Sequence, residues 1–329
     1  MEDAGAPPSL AEAGASVPDA TVESGGALDT GGAVDAQPGT SDAASGYLDA
    51  AADGGLRAGR PDAATVGPSS GGPEQCTARA PVAATWALIW SDEFDKDGAP
   101  DPSNWGFENG FVRNQELQWY QSSNATVSGG LLTIAAQRQQ VANPNYVAGS
   151  ADWKQSRADA QYTSSSMTTA GKRSFQYGRF EACAQIDTRL GSWPAFWILG
   201  NGVGWPSSGE VDIMEYYASG VRANVCIPSG GTCDWTGSVS QSLALLGGST
   251  WSAKFHLWAM EWNATDVNLY LDDKLVYDFK VSRVTSGTNP YTGNPFYILV
   301  NLAIGANGGD PSNTTFPMTY EVDYVRVYQ

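Results

Sequence analysis

The chain has 329 residues, with 35 Asp and Glu against 18 Lys and Arg, for a formal net charge of −17. Such an acidic chain is a poor partner for nucleic acid or an anionic membrane, and the same charge counts against heavily sulfated substrates. No apolar run approaches the roughly 20 residues needed to span a bilayer, so no membrane span is expected.

Residues 1–73 carry 11 acidic residues and two Arg, and lack Trp, Phe and Cys. Ala, Gly, Asp, Ser and Pro dominate, and Gly25–Asp29 is echoed by Gly31–Asp35. Such a segment buries too little apolar surface to offset chain entropy, so residues 1–75 read as a disordered acidic linker. Met1-Glu2-Asp3 offers no basic start and no apolar stretch after it, so no signal peptide is read in this chain. All 12 Trp lie between Trp86 and Trp262, which places the core in residues 76–329.

From there, short apolar or alternating runs recur between turn residues. Trp86–Trp90, Leu131–Ala135 and Tyr177–Glu181 read as strands. Trp193–Gly200 is an apolar strand with Trp193 and Trp197 four apart, hence on one side. Glu210-Val211-Asp212-Ile213-Met214-Glu215 follows, short and β-branched, and a strand is expected here too. Regular alternation puts Glu210 and Asp212 on one face and turns Glu215 away. One extra residue at Ile213-Met214, a β-bulge, brings Glu215 round to join them. Three carboxylates on one face repel one another and raise at least one pKa, which suits acid/base chemistry better than stability. Flat Trp rings beside acids suit sugars, whose C–H faces stack on rings while carboxyls work on the glycosidic oxygen.

Cys226 and Cys233 enclose a Pro/Gly loop and are expected to be bonded, with Cys76–Cys183 as the second pair; buried free thiols are the alternative. No Cys-x-x-Cys or His cluster suggests zinc. Phe255–Trp262 is a strand, and His256 within it reads as structural. Val267–Leu271, Asp272-Asp273 and Leu275–Phe279 read as a hairpin. Asn124, Asn263 and Asn313 each begin a glycosylation sequon. No long amphipathic helix is evident, and strands at this spacing mean an all-β sandwich or barrel.

Several ordered motifs together resemble glycoside hydrolase family 16. They are Trp90–Phe94, Asn114–Tyr120, Tyr177–Ala182, Trp193–Trp197, Glu210–Glu215, Pro295–Gly305 and Val322–Gln329, covering about residues 84–329. The bulged Glu-x-Asp-x-x-Glu spacing is that of the laminarinase (endo-1,3-β-glucanase) branch; 1,3-1,4-β-glucanases typically lack the extra residue. Two departures stand out: no Trp follows Gly305 in Ala306–Asp310, and no His lies between Cys226 and Trp235.

The resemblance implies a β-jelly roll of two curved antiparallel sheets with a substrate cleft on the concave one. It implies retaining hydrolysis of a β-linked polysaccharide, with Glu210 as nucleophile, Glu215 as acid/base and Asp212 between them. Asn114, Glu116, Trp119, Trp193 and Trp197 are the implied substrate contacts. No cofactor is needed for catalysis, although Glu93, Gly110 and Asp323 match positions of a structural Ca²⁺. The expected partner is the polysaccharide alone, acted on by a monomer that is secreted or held at the cell surface. A β-galactan hydrolase of the agarase or carrageenase kind, a transglycosylase and a non-catalytic carbohydrate-binding module are the competing readings.

Overall fold

The computed structural model describes Cys76 and residues 86–202 and 204–329; the linker expected over 1–75 lies outside the described residues. Two large sheets dominate. One runs in the order Lys274–Lys280, Asp266–Leu271, His256–Trp262, Gly178–Gln185, Met318–Tyr328, Leu131–Ala136 and Ala125–Ser128. Leu88–Asp92 also pairs with Met318–Tyr328. The other runs Val239–Ser242, Gly220–Val225, Glu210–Tyr217, Ser192–Gly200, Phe296–Ile304, Ser166–Thr168 and Gly106–Phe107. Pairing within both sheets is antiparallel. No α-helix among the described residues exceeds four residues.

Alternation along the strands explains the layering. Phe196 and Ile198 point into a core shared with Val211, Ile213 and Val300 of their own sheet and Phe180, Met260, Val322 and Val325 of the other. This shared core makes the fold a sandwich of the jelly-roll class, as expected. Ala195, Trp197 and Leu199 point the other way and pack with Tyr297 and Leu299 into a separate small cluster. The seven-stranded sheet therefore carries ordered apolar side chains on its outward face as well, and that face bears the acids.

The bulge is where the apolar pattern places it. Ala195 pairs with Glu215 and Trp197 with Asp212, so Phe196 alone faces both Ile213 and Met214. On the other side Asp212 pairs with Asn224 and Glu215 with Arg222, again one residue against two. Ile213 and Met214 are both buried in the core. Two successive apolar side chains are thus turned inward, and Glu215 emerges on the face of Glu210 and Asp212.

Both expected disulfides, Cys76–Cys183 and Cys226–Cys233, are formed. The hairpin at Asp272-Asp273 is present, with both residues at positive φ (49° and 60°), the backbone that a two-residue hairpin turn requires. His256 stacks on Trp251 at 3.9 Å and its Nδ1 lies 2.8 Å from Asp272, a packing role. The Asn124 amide is buried and donates to the Ala135 carbonyl and to Thr163, so this sequon is closed in the folded chain.

The residues expected to hold calcium have other partners in the structure. Both carboxylate oxygens of Glu93 are taken by the Arg326 guanidinium, at 2.9 and 2.7 Å. The Gly110 backbone exchanges hydrogen bonds with Tyr120 at 2.9 and 3.0 Å. A carboxylate already neutralised by a guanidinium fork is a poor cation ligand. No group of three or more His, Cys, Asp or Glu among the described residues is placed to hold a metal ion.

The bulge backbone is set by register rather than by the Met214 side chain. Met214→Ala is expected to lower unfolding free energy by about 2–5 kcal/mol through the cavity it leaves, with the strand pairing intact. Denaturant midpoints and far-UV circular dichroism would check this; an unchanged midpoint would mean that Met214 is not packed as described.

Candidate active site

Glu210, Asp212 and Glu215 stand in a row on the outward face of strand Glu210–Tyr217, opposite Leu199, Trp197 and Ala195 of the neighbouring strand. Asp212 is buried, and Glu210 and Glu215 are half-buried. Each outer acid is held by an indole. Trp205 Nε1 donates to Glu210 Oε2. Trp193 Nε1 donates to Glu215 Oε1 at 2.9 Å. Asn224, paired with Asp212 in the next strand, donates to Asp212 Oδ2 at 3.2 Å and to Glu215 Oε2 at 2.8 Å. Asp212 stands between Glu210 and Glu215, close enough for each carboxyl to act on the others.

The electrostatics follow from that crowding. Burial pushes the Glu210 carboxyl up to about 7, with the Glu215 charge adding to it and Trp205, Asp212 and Arg113 opposing. Burial, then the charges of Glu215 and Glu210, hold Asp212 well above the usual carboxylate range. Glu215 is raised by burial too, with Trp193, Arg222 and Asn224 working against it. The three therefore titrate as one unit that keeps a proton where isolated carboxyls would have lost theirs.

A second network lies across the apolar floor. The Arg113 guanidinium sits 5.0 Å from the Trp197 ring centre, pairs with Glu108 and is close enough to act on Glu210. Trp197 Nε1 donates to Asn301 Oδ1 at 2.7 Å, and Asn301 Nδ2 donates to the Tyr120 hydroxyl at 3.1 Å. That hydroxyl lies close enough to Glu116 to act on its carboxyl. Gln118 Nε2 donates to Glu116 Oε2 at 2.7 Å, and Asn114 Nδ2 reaches Oε1 at 3.4 Å. Burial lifts Glu116 to about 7 against the pull of Arg113 and Gln118. Asn114 and Gln115 both take positive φ (54° and 52°), and Arg157 ties down the carbonyls of Gln115 and Glu116.

Trp193, Trp197, Asn114 and Glu116 thus join the acids directly or through this chain. Trp119 does not. Its ring packs edge-on against Phe111 at 5.5 Å, in a separate cluster with Ala160. Alternation is the reason: Glu116, Gln118 and Tyr120 share one side of the segment, and Trp119 takes the other. Tyr120 is the aromatic that reaches the floor, and period two was the signal for it. Trp193 and Trp197 are themselves 6% and 7% exposed, so they form wall and floor rather than open platforms.

Other residues carried no readable signal. Asn224 and Arg222 reach the acids because a hairpin turns at Ala218-Ser219, both at positive φ (47° and 59°). Neither residue type favours that backbone, so the sequence does not announce the turn or its register. Arg113 and Trp205 lie in loops whose approach depends on the whole sandwich.

The geometry is that of a carboxyl-based site: a buried acid bridging two half-buried ones beside flat aromatic side chains. Comparison with known proteins agrees with it. The family model of glycosyl hydrolases family 16 matches residues 113–326. A beta-glucanase of Rhodothermus marinus is 34% identical over 274 residues, covering 76% of this chain and 88% of that protein. Glucan endo-1,3-beta-glucosidase A1 of Niallia circulans is 32% identical over 278 residues, but the chain spans only 39% of its length. Among solved structures, the catalytic domain of an endo-1,3-beta-glucanase (laminarinase) from Thermotoga petrophila RKU-1 is 34% identical with a TM-score of 0.62, covering 74% of this chain and 98% of that one. With the family match spanning most of the ordered sequence and the fold shared, this chain belongs to glycosyl hydrolases family 16 and is a glycosidase.

Proposed function

We propose that the protein is a retaining endo-hydrolase of 1,3-β-glucan. Glu210 attacks the anomeric carbon as the glycosidic C–O bond breaks, and Glu215 delivers its proton to the leaving oxygen. A glycosyl ester on Glu210 results. Glu215, now a carboxylate, takes a proton from water, which attacks the same carbon and releases Glu210. Asp212 stands between the two and passes electrostatic load between them. The observation that carries this reading is the shared face created by the bulge, with Asp212 between the outer acids and Asn224 donating to both Asp212 and Glu215.

The substrate part rests on chemistry and likeness together. The chain is acidic overall, and the cation at the floor, Arg113, is already paired with Glu108, which suits a neutral polysaccharide. Relatives named for β-glucan cleavage cover most of the ordered residues. The residue roles need no cofactor. Two disulfides suit an oxidising compartment, consistent with a secreted or surface-held enzyme acting as a monomer.

Laminarin is expected to be cut internally into short oligosaccharides, with lichenan cut more slowly. Product sizing on laminarin, lichenan, agarose and carrageenan decides it; depolymerised agarose beside untouched laminarin would leave only the reaction class standing.

Glu210→Ser is expected to lose turnover by several orders of magnitude while keeping its fold. Azide should then restore cleavage of an activated β-glycoside and give the α-glycosyl azide, because the small anion fills the space of the missing carboxylate. Early-time NMR of the wild-type product should show the β-anomer first. Near-normal activity in the variant, or α-anomer first, would be fatal to the assignment.

The raised Glu210 pKa also makes a statement about stability. The folded state prefers the protonated carboxyl, so this contribution is full below about 4.5 and is lost as pH rises towards about 7. Glu210→Gln cannot ionise and escapes that loss. Its Tm relative to wild type should therefore be higher at pH 8 than at pH 4.5; a constant difference across this range would contradict the raised pKa.

A further inference from the structure

The segment that carries Asn114 and Glu116 is held unequally along its length. The Leu117 N–H donates to the Ile304 carbonyl at 2.8 Å, and the Ile304 N–H donates to Gln118 Oε1 at 2.7 Å. Residues 117 and 118 are thereby seated on strand Phe296–Ile304. The fit is close, since a Cβ at Gly305 would come within 2.5 Å of the Leu117 side chain. The residues just before have no such seat. Asn114 and Gln115 are exposed and take two successive positive φ angles (54° and 52°). Residues with a Cβ enter that backbone only at a cost. Left alone, this turn would relax and carry the Asn114 and Glu116 side chains with it.

The restraint comes from Arg157. Its Nη1 donates to the Glu116 carbonyl and its Nη2 to the Gln115 carbonyl, the latter at 2.9 Å. Among the described residues, these are the hydrogen bonds that reach the 114–116 backbone from outside residues 113–118. The guanidinium lies 5.1 Å from the ring centres of both Phe111 and Trp153. Burial disfavours its charge, yet its donors face carbonyls and not a carboxylate. A planar fork against two rings is fixed in direction as well as place. The loop that mounts it is closed by its own bonds. Asn143 Nδ2 donates to the carbonyls of Lys154 and Arg157 at 2.7 and 2.8 Å. Asp152 accepts from the Lys154 N–H at 2.9 Å, and the Val147 N–H donates to the Gln155 carbonyl at 2.9 Å.

We propose that Arg157 is a positioning residue for substrate binding. It locks the left-handed turn at Asn114-Gln115, so that Asn114 and the Glu116 carboxyl keep their places in the cleft wall. The inference rests on the reading of Asn114 and Glu116 as substrate contacts. The acid row has supports of its own in Trp193, Trp205 and Asn224. Loss of Arg157 therefore weakens binding and spares the chemical step.

The test is the split between KM and kcat on laminarin for wild type, Arg157→Met, Arg157→Lys and the double variant Arg157→Met with Gln115→Gly. Met keeps an unbranched apolar side chain against the rings and removes the donors. Its KM should rise about tenfold, the worth of about two hydrogen bonds, with kcat within about twofold. Lys can serve one carbonyl at a time, so its KM should fall between the two. Gly accepts positive φ without a Cβ penalty, so adding Gln115→Gly should recover about threefold of the lost KM. A merely structural Arg157 would lower Tm and the active fraction, hence kcat at constant KM, and would gain nothing from Gln115→Gly. That pattern, or an unchanged KM in both single variants, overturns the proposal. Should Arg157→Met fail to fold, Arg157→Lys with and without Gln115→Gly makes the same comparison. If wild type leaves laminarin intact, the glucan reading fails, and the same split on the polysaccharide it does cleave decides the role of Arg157.

Discussion

The structure depends on keeping three like-charged groups together on the face of one central strand. Two carboxylates about 4 Å apart repel by about 4 kcal/mol at an effective dielectric of 20. A hydrogen bond to a charged group returns about 1.5–3 kcal/mol. Indole and amide donors therefore soften full ionisation of the row without offsetting it, and the row retains a proton. What surrounds the acids reads as the consequence. Trp193, Trp205 and Asn224 each aim an N–H at a carboxylate oxygen, and among the described residues no Lys or Arg makes a direct salt bridge to any of the three. A cation bonded there would strip the proton that acid catalysis needs.

Cations are kept one layer back instead. Arg113 lies over Trp197 and is paired with Glu108, while Arg222 lies 4.1 Å over the Tyr217 ring. Each trims the charge of the acid row through space. Glu116 shows the same economy on the far wall, where burial outweighs the nearby guanidinium and the carboxyl rises. The cleft thus holds two separately buffered groups of acids, joined through Tyr120, Asn301 and Trp197.

Legibility in the sequence followed the range of the interaction. The acid row was readable because its three carboxyls lie within six residues, and the bulge because regular alternation would have turned Glu215 away from the spacing the family resemblance implies. The hairpin at Asp272-Asp273 and the stapled loop of Cys226 and Cys233 were equally local. The place of Trp119 outside the acid network follows from strand parity, which is local information that residue type alone does not carry. The Glu93–Arg326 pair was not readable for a different reason: the two residues are 233 positions apart, and only the paired strand brings them together. Asn224, Arg222 and Arg113 belong to the same class, being set by turns and loop paths that single residues do not encode.

Tyr291 has a consequence of another kind. Its hydroxyl touches the backbone of Glu210 and of Cys226, while its ring lies between Phe296 of one sheet and Phe279 of the other. The backbone of the first acid is thereby bolted to the joint between the two layers, with no compliant segment in between. Any loosening of the joint between the layers is therefore passed directly to the backbone that carries Glu210.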